Sequence, residues 1–331
     1  MERKMAFGLL KGAVALTATV VMTVSAWADD TIRFRLDYSI YGTHAPFYLG
    51  IEQGLYKDEG IELTIGEGSG SSNTAKLLAQ GTDPIGFLDY GTMVKGIAAG
   101  MPLKGIFAVH QKSPMIIISH AENPVKSPKD LEGKILGMSQ SESTAQMFPV
   151  LAAISDTDPA KVNVISPAVG AKTALFLQKR ADAITGVTYF HLPPLEAQGA
   201  ELEYFLYSDF GINALEGGIA ANTEWLAANP DLAKRFISAT SKAFEIAKAE
   251  PEKAVNALIK QRPDLQQNRD MLIRQLELSM EATATPNTEG MPLGKMAEAD
   301  VQAMLDQFVQ SEQIKEGMTP AEVYSNEFIV E

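Results

Sequence analysis

Residues 63–72, LTIGEGSGSS, join a short apolar strand to a loop of glycine and serine and then to a helical pattern, and residues 135–144, ILGMSQSEST, repeat the arrangement. In open α/β sheets, ligands bind beyond the carboxyl ends of strands, beside turns of this kind. Because the motif occurs twice, we predict two α/β lobes that each contribute one loop to a shared cleft.

The pattern around these loops predicts the fold class, α/β. Short β-like runs alternate with helical stretches from residue 32 to residue 207, the first helix covering residues 46–59, whereas only helical patterns follow residue 222. We place crossovers near residues 113–114 and 209–218, so that lobe I comprises residues 29–113 and 215–331, with the C-terminal helices packed on it, and lobe II residues 114–214. The predicted strands cover residues 32–36, 61–65, 85–88, 103–109, 115–119, 134–138, 162–165, 181–184 and 204–207.

The first 28 residues have the pattern of a cleavable export signal. Arg3, Lys4 and Lys11 precede an apolar run of about 12 residues, well short of the about 20 that a membrane-spanning helix needs. Residues 26–28, Ala-Trp-Ala, then place small residues where a signal peptidase reads the chain. The sequence has no cysteine, hence neither a lipidated cysteine nor a disulfide. We therefore expect a signal peptide over residues 1–28 and an untethered mature protein in the periplasm.

The composition disfavours several classes of function. The net charge of −13 includes +2 from residues 1–28, so the rest of the chain carries −15, which disfavours a nucleic-acid partner. The sequence has no cysteine nucleophile, no Gly-x-Ser-x-Gly elbow, no Gly-Lys-Ser/Thr phosphate loop and no His-Glu-x-x-His zinc motif. Its four histidines lack the local spacing of metal ligands. We expect no catalytic residue, no metal and no cofactor.

Five segments in a fixed order carry a family resemblance: LDYSIYGTHAPFY (36–48), EQGLYKDEGI (52–61), LAQGTDPIG (78–86), VKSPKDLEGK (125–134) and DFGI (209–212). The set resembles the periplasmic proteins that bind thiamine pyrimidine precursors, relatives of the nitrate, sulfonate and taurine binders. The resemblance implies a type II periplasmic binding protein, whose two α/β lobes are joined by two crossovers and close on a solute in the cleft between them. It also implies an ABC permease in the inner membrane as partner, and we expect a monomer.

The first of these segments departs from the pyrimidine-binding pattern, which usually reads Leu-Asp-Trp, then Pro-Asn, then His. Asp37 and His44 are kept, but Tyr38 stands at the Trp position, Ile40 at the Pro and Tyr41 at the Asn. These departures leave a related but different ligand open. Pyrimidine precursors lead the list, followed by other heteroaromatic compounds or aromatic acids, and then by a sulfonate, taurine or nitrate.

Candidate ligand-binding residues follow the strand ends. After the first strand, Tyr38 and Tyr41 can stack on a flat ligand, and Asp37 or His44 can hydrogen-bond a ring nitrogen or an amine. The structural alternative is that His44 caps its helix and the tyrosines pack between strand and helix. The other candidates lie at further strand ends, in the two loops and near the return crossover: Gly70, Ser71, Ser72, Asp89, Tyr90, Ser139, Glu142, Ser143, Thr144, Thr188, Tyr189, Phe190 and Glu216.

Each group of candidates has a functional and a structural interpretation. The loop hydroxyls and amides suit oxyanions or other acceptors, or they only cap helices. Glu142 can be a first-turn carboxylate favoured by the helix dipole. Tyr189 and Phe190 supply the second face of an aromatic sandwich, or they belong to the core of lobe II. Glu216 pairs with a ligand amine, or it forms a salt bridge at the hinge.

Transport is the leading interpretation of these features: the two lobes capture a small heteroaromatic solute and deliver it to the permease. A solute-sensing partner of a membrane receptor would use the same lobes, and the sequence does not separate the two. An enzyme of pyrimidine synthesis with this fold is disfavoured, because related enzymes contain cysteines and this chain has none.

Overall fold

Two five-stranded mixed sheets organise the part of the chain that the computed structural model describes, residues 30–140 and 142–330. The first sheet contains β1 (Asp30–Arg35), β2 (Ile61–Gly66), β3 (Ile85–Asp89), β4 (Leu103–Ala108) and β10 (Gly217–Asn222). Their order is β2-β1-β3-β10-β4, with β1 parallel to β2 and β3, and β10 antiparallel to β3 and β4. The predicted signal peptide lies outside the described residues.

The second sheet contains β5 (Met115–His120), β6 (Ile135–Gly137), β7 (Asn163–Ile165), β8 (Ala183–Val187) and β9 (Leu202–Leu206). Its order is β7-β6-β8-β5-β9, with β6 parallel to β7 and β8, and β5 antiparallel to β8 and β9. The chain therefore passes between the sheets twice, after β4 and after β9. We use lobe I for the elements around the first sheet and lobe II for those around the second.

Helices cover the sheets and make up most of the C-terminal region. They are α1 (Ala45–Glu52), α2 (Leu55–Asp58), α3 (Ser71–Ala79), α4 (Tyr90–Ala98), α5 (Ser143–Ile154), α6 (Val169–Leu177), α7 (Thr188–Glu196), α8 (Thr223–Ala228), α9 (Pro230–Ala249), α10 (Pro251–Gln261), α11 (Arg269–Glu281), α12 (Glu298–Gln310) and α13 (Pro320–Val323). None of these helices is long and apolar enough to cross a bilayer.

The C-terminal helices pack on lobe I and also touch lobe II. The α9 and α10 helices lie against α1, while α11 contacts α7. One hydrophobic cluster continues from Met93 of α4 to Met147 of α5 and includes Phe308 of α12. The two lobes are therefore in contact.

Each of the nine predicted strands corresponds to a strand of the structure, within about two residues at most ends. The predicted helix over residues 46–59 is instead two helices, because Gly54 between them adopts a left-handed conformation with φ of 74°. Strand β10 was not predicted. Its sequence, GGIAAN, has one β-branched residue, so local propensity does not identify it, yet all six residues are buried between β3 and β4.

Gly218 of β10 is required by the close approach of Tyr90, since a Cβ atom there would lie 2.6 Å from the tyrosine ring. We expect Gly218→Ala to lower the free energy of unfolding by about 1–3 kcal/mol, as overpacking does, and urea denaturation measures it. Gly170→Ala on α6 is the matched control, because no atom lies within 4 Å of its Cβ position. A Gly218→Ala variant as stable as the wild type would contradict the packing.

Candidate functional site

A cavity of about 510 Å³ lies between the lobes, at the carboxyl ends of several strands. Residues of both lobes line it. They include residues of the loop after β2 and of the loop after β6, the two loops with which the sequence analysis began. Thirteen of the predicted site residues are among them: Asp37, Tyr38, Tyr41, Gly70, Ser71, Ser72, Asp89, Glu142, Ser143, Thr144, Tyr189, Phe190 and Glu216. A second cavity, of about 430 Å³, lies on the C-terminal helices near Lys248 and Glu277 and contains none of the predicted residues.

Backbone contacts hold the first loop against the end of β1. The amide of Gly70 donates to the carbonyl of Asp37 at 2.7 Å. A Cβ atom at Gly68 would lie 2.1 Å from the carbonyl oxygen of Leu36, and Gly70 has a φ of 120°. Because only glycine fits these two positions, the loop turns sharply and α3 starts at the edge of the cavity.

Asp37 is held from two sides. Its Oδ1 lies 2.8 Å from Nε2 of His44, and its Oδ2 accepts a hydrogen bond from the Tyr41 hydroxyl at 3.1 Å. The His44 ring is fully buried, and its Nδ1 faces the amide of Tyr41. His44 therefore acts on the cavity through Asp37, whose carboxylate it orients.

Aromatic rings from both lobes meet in the cavity. Tyr41 and Tyr189 are parallel with centroids 6.0 Å apart, while Phe190 stands edge-on to Tyr38 and Tyr41. A third ring stacked between two parallel rings needs about 7 Å, twice the usual carbon–carbon contact distance. The other face of Tyr189 is covered by His110 at 4.2 Å. Tyr189 thus does not form an aromatic sandwich with Tyr41, and the partly exposed ring of Tyr38 is the surface left for stacking.

Glu216 connects the lobes. It precedes β10 in lobe I, yet its Oε1 accepts from the Ser143 hydroxyl at 2.6 Å and its Oε2 from the Tyr189 hydroxyl at 3.2 Å, both in lobe II. Burial, together with the nearby charge of Asp89, raises the pKa of Glu216 to about 8. The raised pKa favours the protonated carboxyl, whose O–H donates to one of these two hydroxyls while the other hydroxyl donates to it, so both contacts between the lobes are kept.

Asp89 is the N-terminal cap of α4 and lines the cavity next to Glu216. Its Oδ1 accepts from the amide of Thr92 at 2.6 Å, whereas its Oδ2 is buried and has no hydrogen-bond partner among the described residues. Burial is the main cause that raises the pKa of Asp89. An acceptor of this kind is costly unless a ligand donates to it.

In lobe II, Glu142 and a buried lysine form an ion pair. The Nζ atom of Lys172 bonds Oε2 of Glu142 and lies 3.5 Å from the Thr185 hydroxyl, and its side chain has no exposed surface. Burial lowers the pKa of Lys172, and the charge of Glu142 opposes that effect. The ion pair occupies Oε2 of Glu142, and the Glu142 side chain lines the cavity.

Four predicted residues do not line the cavity. Tyr90 lies in the core and its hydroxyl donates to the carbonyl of Ile219, because its ring fills the space that Gly105 and Gly218 leave open. Ser139 is buried and donates to the carbonyl of Pro167. Thr188 starts α7 and its amide donates to Pro114. The structure corrects the expectation of direct cleft contact for these three and for His44.

Ser69 of the first loop also lines the cavity, and sequence reasoning missed six further residues of the lining: Asn73, Lys76, Thr92, Gly186, Val187 and His191. Helical spacing is the signal that finds part of this set, since Lys76 lies four residues after Ser72 on α3. Lys172, which supports the site from behind, has no signal in the local sequence.

Two mixed α/β lobes that enclose a cavity at their strand ends define the class of type II periplasmic binding proteins. The structure is similar to the periplasmic aliphatic sulphonate-binding protein SsuA of Escherichia coli, with a TM-score of 0.69, 13% sequence identity, and coverage of 88% of this chain and 91% of that one. The family model described as NMT1/THI5 like matches residues 42–254, and the chain belongs to this family. The fold and the family resemblance expected from the sequence are thus confirmed.

Curated relatives match about two thirds of the chain. The riboflavin-binding protein RibY of Chloroflexus aurantiacus is 24% identical over 225 residues, which are 67% of this chain and 64% of that protein, slightly less than two thirds of its length. A formylaminopyrimidine-binding protein of Halalkalibacterium halodurans is 23% identical over 235 residues, 70% of this chain and 71% of that one. A relative from Legionella pneumophila, 22% identical over 67% of this chain and 71% of its own, is named 4-amino-5-hydroxymethyl-2-methylpyrimidine phosphate synthase.

Proposed function

We propose that the protein is the solute-binding component of an ABC importer and that its cavity holds a small nitrogen heterocycle, a thiamine pyrimidine precursor or a related ring compound. The observation that carries this proposal is the convergence of aromatic rings and carboxylates from both lobes on one cavity. The rings favour a flat ligand, and the carboxylates favour one that carries hydrogen-bond donors.

The charge of the cavity argues against the anion alternative. Among the described residues of its lining, four are carboxylic acids, Asp37, Asp89, Glu142 and Glu216, whereas one is a lysine, the exposed Lys76, and none is an arginine. A sulfonate or nitrate in this surrounding would lie near buried acidic groups without a compensating cation. Amine or ring N–H donors instead satisfy acceptors such as the unpartnered Oδ2 of Asp89.

The names of the relatives support the same ligand class. Riboflavin and formylaminopyrimidine are both flat nitrogen heterocycles, although they differ in size. Two of the three relatives are named as binding proteins, and catalysis is not part of the proposal because no cysteine is present.

The proposal also covers where the protein is located and how its two lobes move. A periplasmic location follows from the predicted signal peptide over residues 1–28. Lobe I, residues 29–113 and 215–331, and lobe II, residues 114–214, open and close about the two crossovers, as hinge proteins do. The thirteen predicted residues of the lining form the binding set, and we expect a monomer to dock on the permease.

A thermal-shift panel of pyrimidines, flavins, aromatic acids, sulfonates and nitrate tests the ligand class, because a ligand that binds only the folded protein raises its melting temperature. We expect the nitrogen heterocycles to raise it and the anions to leave it unchanged. A shift with the anions alone would show that the ring proposal is wrong.

Tyr38→Ala tests stacking directly. Loss of a stacking ring costs about 0.5–1.5 kcal/mol, so we expect the best heterocycle to bind about 2- to 12-fold more weakly, as measured by calorimetry. Tyr204→Ala is the matched control, since Tyr204 is 44% exposed against 39% for Tyr38 but does not line the cavity. Equal affinities of the two variants would remove Tyr38 from the binding set.

A further inference from the structure

His191 presents a proton to the cavity. Its Nδ1 accepts a hydrogen bond from the backbone amide of Val187 at 3.0 Å. A neutral imidazole has one N–H and one acceptor nitrogen, so the proton lies on Nε2. The residue is 5% exposed and lines the cavity, and this Nε2 is buried without a hydrogen-bond partner among the described residues.

Glu142 presents an acceptor to the same space. Its Oε2 is taken by the buried Lys172, while its Oε1 lies 4.0 Å from Nε2 of His191. That separation is too long for a hydrogen bond between the two groups. A fixed donor and a fixed acceptor therefore face each other across a gap.

We propose that His191 and Glu142 form a subsite in lobe II that takes a hydroxyl group of the ligand. A hydroxyl oxygen accepts from Nε2–H and its hydrogen goes to Oε1, and two bonds of about 2.8 Å span the 4.0 Å gap at a bent angle. An ammonium group has no acceptor for the imidazole, a methyl group has neither function, and an anion is repelled by Glu142. The inference deepens the proposed function and rests on it, because it names the substituent of the bound ring.

Two neighbours position the subsite. Lys172 holds Glu142 from behind, and Gly186 leaves room for His191, since a Cβ atom there would lie 2.8 Å from Cγ of the imidazole. Burial, and then the charge of Lys172, lowers the pKa of His191 well below its usual value, in agreement with a neutral ring.

A matched pair of probes tests the subsite: 4-amino-5-hydroxymethyl-2-methylpyrimidine and 4-amino-2,5-dimethylpyrimidine, which differ by one hydroxyl. We expect the wild type to bind the first compound about 10-fold or more tightly than the second. The hydroxyl adds two hydrogen bonds, one with His191 and one with the charged Glu142, and their combined free energy corresponds to such a ratio. His191→Leu should remove most of this preference by weakening the binding of the hydroxymethyl compound, because only the acceptor of Glu142 remains, and His191→Gln, which retains an N–H, should preserve it. An unchanged preference in His191→Leu overturns the inference.

Nitrogen-15 NMR of the histidine rings provides a second test that needs no ligand. We expect His191 to remain neutral with its proton on Nε2 between about pH 5 and 8, where free histidine titrates. A proton on Nδ1, or titration in this range, overturns the subsite. If neither pyrimidine binds the wild type, the proposed ligand class fails, whereas this spectrum still tests separately whether His191 offers the Nε2–H donor that the subsite needs.

Discussion

Replacing Glu142 by leucine is expected to lower the free energy of unfolding by about 3–5 kcal/mol, the usual cost of removing one partner from a buried ion pair. Lys172 has no exposed surface, and among the described residues its one hydrogen-bond partner besides Glu142 is the Thr185 hydroxyl, at 3.5 Å. Without the carboxylate, the ammonium is desolvated and unpaired, or it must lose its proton. Urea denaturation followed by circular dichroism measures the loss.

Two further variants separate this explanation from a simple loss of packing. The double variant Glu142→Leu/Lys172→Met should recover most of the stability, because an apolar pair of similar volume often replaces a buried ion pair without loss. Glu122→Leu breaks the exposed pair that Glu122 forms with Lys179 at 2.5 Å, and it should leave the unfolding midpoint unchanged. A single variant as stable as the wild type would show that Lys172 is not buried as a charge.

Raising the pH from about 4.5 to 8 is expected to lower the free energy of unfolding by up to about 5 kcal/mol, because Glu216 loses its proton in the folded state. The folded protein raises the pKa of this carboxyl from its ordinary 4.5 to about 8, mainly by burial. Between these values the folded state holds a proton that the unfolded state has released, so the free energy of unfolding falls as the pH rises. The contribution is complete below pH 4.5 and lost above pH 8.

Glu216→Gln removes this titration and resembles the protonated carboxyl, because its amide oxygen accepts from one of the hydroxyls of Ser143 and Tyr189 while its NH2 group donates to the other. The difference in unfolding free energy between the wild type and this variant, measured by denaturation at several pH values, separates Glu216 from His110 and His191 and reports it together with its interaction with Asp89, whose pKa burial also raises. Burial lowers the pKa of both histidines, so their effects have the opposite sign. Glu201→Gln, at an exposed position, should reproduce the wild-type profile. A difference that does not change with pH would contradict the assignment.

Protonation of Glu216 also affects the contact between the two lobes. Both hydroxyls that bond Glu216 belong to lobe II, whereas Glu216 itself precedes β10 of lobe I. In the proposed opening of the cleft, the carboxyl would reach water and its pKa would return toward the ordinary value. We therefore expect protonation of Glu216 to stabilise the contact between the lobes, and a ligand amine near Glu216 would compete for this proton.

The sequence by itself determined the two α/β lobes, the strand–loop–helix sites and most of the cavity lining. These features depend on short-range patterns: apolar runs, the glycines of 66–70 and the polar residues directly after a strand. Position after a strand end correctly placed Asp37, Asp89 and Tyr189 at the cavity. The same rule failed for Tyr90, because a residue at a strand end points either to the cleft or to the core.

Only the tertiary structure decided which groups act together. Lys172 and Glu142 are 30 residues apart, and Ser143 and Glu216 are 73 apart, so no local pattern pairs them. Strand β10 exists because β3 and β4 enclose it, not because its glycines and alanines favour a strand. Burial raises the pKa of Glu216 and leaves His191 with an unpartnered proton donor, and burial is a property of the packed lobes rather than of any segment.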